Sequence, residues 1–84
     1  MKVRYEIISP FHGIITHVLS SPSSYIYEGE SVYLIKTEKT LVEIKADLSG
    51  SIVSLHVKQG EVVAPGKVLA TIEEDFLSVN AGSD

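Results

Sequence analysis

The chain of 84 residues contains no cysteine. Disulfide frameworks, zinc–thiolate sites and cysteine nucleophiles are therefore excluded. No apolar run approaches the roughly 20 residues that a membrane-spanning helix needs. Basic residues are few and scattered, seven against eleven acidic ones, for a net charge of −4. They make no electrostatic footprint for nucleic acid. The N-terminus, Met1-Lys2-Val3-Arg4, runs straight into alternating strand-like sequence. It lacks the apolar h-region of a signal peptide, so the expected location is cytoplasmic. No segment carries a convincing helical period. The one candidate, Glu73-Glu74-Asp75-Phe76-Leu77, is too short to stand as a helix. His12, His17 and His56 lack the spacing of metal ligands. No paired carboxylates, Ser/His/Asp order or phosphate-cradling glycine loop is evident, so no catalytic site is expected. A small hydrolase or isomerase has only the three histidines in its favour.

What the chain has is strand signal. Its hydrophobic fraction of 44% is that of a globular protein and argues against disorder. A single small domain of this length buries only about 60% of its unfolded surface, so it needs a compact core. Val3 to Ile8, Gly13 to Leu19, Val32 to Lys36, Leu41 to Ala46, Ile52 to Val57 and Lys67 to Ile72 read as strands rich in β-branched and aromatic residues. Ser20-Ser21-Pro22-Ser23-Ser24 reads as a polar loop. Pro65-Gly66 has the residues of a type II turn. Ser78 to Asp84 is small and polar, and a tail of 77–84 is expected to fray from a domain spanning 1–76. Short strands at regular spacing with glycine and proline turns predict an all-β sandwich or flattened barrel.

The chain also repeats itself. Residues 3–37, shifted by 37 positions, fall on 40–74 without a gap. Glu6 lands on Glu43, Ile7 on Ile44, Gly13 on Gly50, Ile15 on Ile52, Gly29 on Gly66 and Ile35 on Ile72. A fixed period with matched glycines and apolar positions means one supersecondary unit used twice. Neither copy can bury its apolar face alone, so the two must pack on each other with pseudo-two-fold symmetry. The joint between them is Thr37-Glu38-Lys39-Thr40.

Ser9-Pro10-Phe11-His12-Gly13, Gly29, Val32 to Ile35 and a lysine at the symmetric joint resemble the biotinyl/lipoyl attachment domain family. The second half resembles it more closely, through Glu43-Ile44, Ala46-Asp47-Leu48-Ser49-Gly50, Gly60-Glu61, Gly66, Leu69 and Ile72. The resemblance covers about residues 9–74. It implies a barrel-sandwich hybrid of two four-stranded antiparallel sheets, with Lys39 as the modified lysine at the tip of a tight hairpin. Glu38 and Thr40 are then the flanking residues that a modifying enzyme reads.

The flanks also bear on the cofactor. Biotin domains usually carry Met-Lys-Met and lipoyl domains Asp-Lys-Ala. Glu38-Lys39-Thr40 is acidic before and small after, which places lipoate first and biotin second. Ala46-Asp47-Leu48-Ser49-Gly50 looks more like a biotin carrier. The resemblance implies a non-catalytic, monomeric carrier. Its partners are a lipoate or biotin protein ligase and, in trans, subunits of a 2-oxo acid dehydrogenase or a biotin-dependent carboxylase. Neither nucleic acid nor a membrane is expected as a partner. The alternative is an unmodified adaptor of the same fold. Two departures favour it: Ser23-Ser24 in place of the first Gly-Asp turn, and Lys36 where lipoyl domains often have glutamate. In lipoyl domains that first loop lies near the hairpin, so the Ser20–Tyr27 stretch is a second candidate for recognition. Tyr25 and Tyr27 either contact a partner or cover the barrel end. Glu28, Glu30 and Glu38 are either one acidic rim or separately solvated charges.

Overall fold

In the computed structural model, residues 2–75 are described. They form eight strands: β1 (Lys2–Ile8), β2 (Gly13–Val18), β3 (Tyr25–Ile26), β4 (Ser31–Lys36), β5 (Leu41–Lys45), β6 (Gly50–Leu55), β7 (Val62–Val63) and β8 (Val68–Asp75). One sheet has the order β1-β8-β6-β3 and the other β5-β4-β2-β7. Every pairing is antiparallel. The 37-residue shift converts β1 into β5, β2 into β6, β3 into β7 and β4 into β8. It therefore maps one sheet order onto the other. Each repeat gives strands to both sheets, which is why neither half closes a core by itself.

The six expected strands are present, displaced by one to three residues at their ends. β3 and β7 complete the two four-stranded sheets that the resemblance implies; the residue pattern did not locate them, because two residues are too few for periodicity to register. The Glu73–Asp75 part of the helical candidate belongs to β8. The expected tail, 77–84, lies outside the described residues.

The core repeats as the sequence does. Ile15 and Ile52, Ile35 and Ile72, and Val32 and Leu69 are buried twin pairs. Each full aliphatic burial contributes roughly 1.5–3 kcal/mol. At one core position the twins differ sharply in size. Tyr33 is fully buried and its twin Ala70 is small. The Tyr33 hydroxyl donates to the Leu69 carbonyl at 2.8 Å, which satisfies it in the interior.

The turns are twins as well. The Gly60 N–H donates to the Ile15 carbonyl at 2.8 Å, and the Ser23 N–H donates to the Ile52 carbonyl at 2.9 Å. Gly60 has φ +92° and Ser23 φ +71°. The first-half loop therefore keeps the left-handed backbone of the glycine turn while carrying a serine. The Pro65-Gly66 turn has the expected features, with Gly66 at φ +92° and the Lys67 N–H bonded to the Ala64 carbonyl at 3.0 Å.

Candidate functional site

The β4–β5 hairpin ends on the pair Lys36–Leu41. Beyond it, the Thr37 N–H donates to the Thr40 carbonyl at 2.8 Å. The Thr37 hydroxyl donates to the same carbonyl at 3.0 Å. That hydroxyl also accepts the N–H groups of Thr40 at 3.1 Å and Lys39 at 3.3 Å. One donor and two acceptor positions are the whole capacity of a hydroxyl, and all are used. A threonine thus stitches a two-residue loop with no glycine, and neither Glu38 nor Lys39 has positive φ. Glu38, Lys39 and Thr40 are all exposed, with Lys39 at the apex. The three residues expected to form the attachment site stand together at one end of the molecule.

The turn joining β1 to β2 lies beside this tip. Buried Ser9 fixes it: its hydroxyl donates to the Phe11 carbonyl at 2.7 Å and accepts the Phe11 N–H at 3.2 Å. Phe11, His12 and Val42, with turn residues 37–40, line an open and mostly apolar groove of about 670 Å³. A smaller hollow of about 350 Å³ lies along His12, Gly13, Ile14, Lys36 and Val62. The register explains the proximity. Gly13 and Ile14 begin β2, and Ile14 pairs with Lys36 on one side and Val62 on the other. Gly13 lets β2 press on the hairpin base. A Cβ there would stand 2.4 Å from the Lys36 carbonyl oxygen.

The Ser20–Tyr27 stretch is not near Lys39. Tyr25 pairs with Ser51, and Ser51 pairs with Glu73, at the end where β1 starts and β8 finishes. The loop shares a hollow with Ser31, at the opposite end of β4 from Lys36. Six residues of strand put roughly 17 Å between those ends. Tyr25 and Tyr27 are exposed and meet edge to face, with centroids 5.0 Å apart. Glu28 and Glu30 also lie at that far end; the Glu28 N–H donates to Ser49 and the Glu30 carboxylate accepts the Tyr27 N–H. Glu38 is at the tip, so the three glutamates make no common rim. Of the histidines, only His12 borders the lysine. His17 is exposed on β2, and His56 sits one residue past β6, its Nε2 2.8 Å from the Thr71 hydroxyl. Among the described residues no His/Cys/Asp/Glu group has the arrangement of a metal site.

Phe11, His12 and Val42 were not singled out as neighbours of Lys39 by the sequence. The signal that locates them is the matched glycine at position 13, which marks where β2 closes on the end of β4.

The sequence profile of the family described as "Biotin-requiring enzyme", the biotin/lipoyl attachment family, matches residues 15–72, more than half of the chain. The chain belongs to this family. It is 32% identical over 62 residues to the dihydrolipoyllysine-residue acetyltransferase component of the pyruvate dehydrogenase complex of Mycoplasma genitalium. That match covers 74% of this chain and 16% of the relative. It is 29% identical over 65 residues to the mitochondrial propionyl-CoA carboxylase alpha chain of Sus scrofa, covering 77% of this chain and 9% of the relative. The chain therefore spans a sixth or less of the length of these relatives. Its fold is similar to that of the lipoyl domain of the Azotobacter vinelandii 2-oxoglutarate dehydrogenase complex. The TM-score is 0.65 at 24% identity, over 75% of this chain and 80% of that one. Biotin/lipoyl attachment domains of larger enzymes are thus what the chain is similar to, on both the lipoyl and the biotinyl side.

Proposed function

We propose that this biotin/lipoyl domain is a carrier whose cofactor is held as an amide on Nζ of Lys39, with lipoate as that cofactor. The observation that carries the reading is an exposed lysine at the apex of the turn joining the two repeats. The residues fit the group: Lys39 is exposed at the tip, and Thr37 holds the turn in one shape beneath it. In the attachment step the amine nitrogen attacks the carboxyl carbon of a ligase-activated acid. A C–N bond forms, the activating group departs, and the nitrogen gives up a proton. Attached lipoate would supply a cyclic disulfide able to take up reducing equivalents or an acyl group. The protein's contribution is position. A long stem on a rigid hairpin raises the effective concentration of the tethered group at a partner active site.

The acidic and small residues flanking the lysine support lipoate over biotin, as does the 32% identity to the acetyltransferase component. In this reading the domain is non-catalytic, monomeric and cytoplasmic. It is served by a lipoate ligase and works with subunits of a 2-oxo acid dehydrogenase; a biotin ligase and carboxylase subunits are the variant. The test incubates the chain separately with a lipoate and a biotin ligase and their acids. Incorporation of lipoate that is lost in Lys39→Arg supports the reading. Incorporation of biotin alone would replace the cofactor. An unmodified adaptor is the second reading, favoured by exposed Lys36 three residues before Lys39. Recovery of a partner with unmodified protein, unaffected by Lys39→Arg, would favour it.

A further inference from the structure

The two repeats serve as controls for each other, and they differ beside the lysine. Val42 on β5 is the twin of Tyr5 on β1: Val42 pairs with Ile35, and Tyr5 with Ile72. At the far end the Tyr5 ring runs inward to a buried hydroxyl that has no hydrogen-bond partner. At the lysine end the same position carries only an isopropyl group and borders the groove of about 670 Å³. That volume falls in the range of small-molecule sites, about 300–1,000 Å³. The smaller side chain at 42 leaves room on this side of the groove that a tyrosine would take up. Phe11, 41% exposed, forms its other apolar wall.

We propose that this groove is a resting site for a medium-length hydrocarbon chain attached at position 39. Lys39 itself lines the groove, so a chain growing from its Nζ begins at the groove mouth. An unbranched chain of about eight carbons can turn back across Phe11 and Val42 and remove apolar surface of both partners from water, at about 25 cal/mol per Å². The arm would then divide its time between a docked state on its own domain and an extended state that reaches a partner. The meaning of this for cofactor delivery rests on the carrier reading; the binding itself does not.

The test is made independent of any ligase. The chain has no cysteine, so Lys39→Cys provides a single thiol. Its thiolate displaces iodide from N-octyl iodoacetamide, forming a thioether and leaving an arm close in length to an acylated lysine. Docking predicts nuclear Overhauser contacts from the octyl methylenes to the Phe11 ring and Val42 methyls, with broadened methylene lines. Val42→Tyr should abolish those contacts and sharpen the lines without unfolding the protein, because the twin position already holds a tyrosine. Phe11→Ser, on the exposed wall, is the second variant and should weaken them as well. An octyl arm with free-chain line widths and no contact to Phe11 or Val42 overturns the proposal. If such a free arm is found while Val42→Tyr still slows Lys39 modification, the groove belongs to the ligase. Docking of the octyl arm together with failure of ligase labelling on wild-type protein would refute the carrier reading and leave the groove assignment standing.

Discussion

Gly13→Ala and Gly50→Ala form a matched pair that separates loss of stability from loss of site geometry. A Cβ on Gly13 would lie 2.4 Å from the Lys36 carbonyl oxygen and 2.7 Å from Cγ2 of Ile35. A Cβ on Gly50 would lie 2.6 Å from the Glu73 carbonyl oxygen and 2.8 Å from Cγ2 of Ile72. These are contacts with backbone and with fully buried side chains, so strands must part to relieve them. Overpacking of this kind costs about 1–3 kcal/mol, and backbone contact places both variants near the top of that range, at about 2–3 kcal/mol. At about 4–8 °C per kcal/mol for a domain this size, each loses roughly 10–20 °C in Tm. Urea titration and thermal melts followed by circular dichroism read both losses. Modification of Lys39 is then measured at a temperature where both variants remain folded. Gly13 sits under the hairpin, so its variant displaces the turn from its native position. Misplacement of about an ångström is enough to slow a positioned reaction about tenfold or more. Gly50, at the far end, carries the same energetic cost and should leave the rate near wild type. Equal modification rates in the two variants, or a loss under about 0.5 kcal/mol in either, would refute the reasoning.

Ser23→Gly should stabilise the chain by about 0.5–1 kcal/mol in a urea titration. It removes the left-handed strain of serine at φ +71°, partly offset by the greater freedom of glycine when unfolded. Stability should fall as pH rises from about 10 towards 12. Burial, aided by the negative charge of Glu74, pushes the Tyr5 hydroxyl up to about 12, and burial likewise pushes Tyr33 up to about 12. Over that window the unfolded chain releases phenolic protons that the native state retains, so the unfolded state binds fewer protons and unfolding becomes easier. Denaturation midpoints taken across pH 8–12 check this, and Tyr5→Phe, which also removes an orphan hydroxyl, should flatten the decline without lowering stability at neutral pH. Glu38→Met combined with Thr40→Met should shift labelling from lipoate towards biotin in a competition between the two ligases, with the fold unchanged because both side chains are exposed.

The repeat made most of this fold legible. Runs of β-branched and aromatic residues marked six strands, and matched glycines and apolar residues at a fixed period located the joint bearing Lys39, because buried twins must be apolar in both copies. β3 and β7 escaped because two residues carry no alternation; they exist through their pairings with Ser51 and Gly50 and with Ile14 and Gly13. The neighbours of the lysine escaped for a different reason. Which loop stands beside the tip depends on the end at which each strand enters its sheet, and spacing alone does not encode that. Pairing of Tyr25 with Ser51 sends the Ser20–Tyr27 stretch to the far end, while pairing of Ile14 with Lys36 brings Phe11 and His12 to the hairpin. The Ser23-Ser24 departure matters less than its sequence suggests, since Ser23 adopts the turn of its glycine twin.

The proposed carrier role stands on Lys39 as the attachment residue. The most direct test is the intact mass of the protein isolated from its native host, followed by peptide mapping, beside the same measurement on Lys39→Arg. A lipoyl increment is expected on the peptide containing Lys39 and none in the variant. An unmodified mass in the wild type, or an increment that persists in Lys39→Arg, would contradict it.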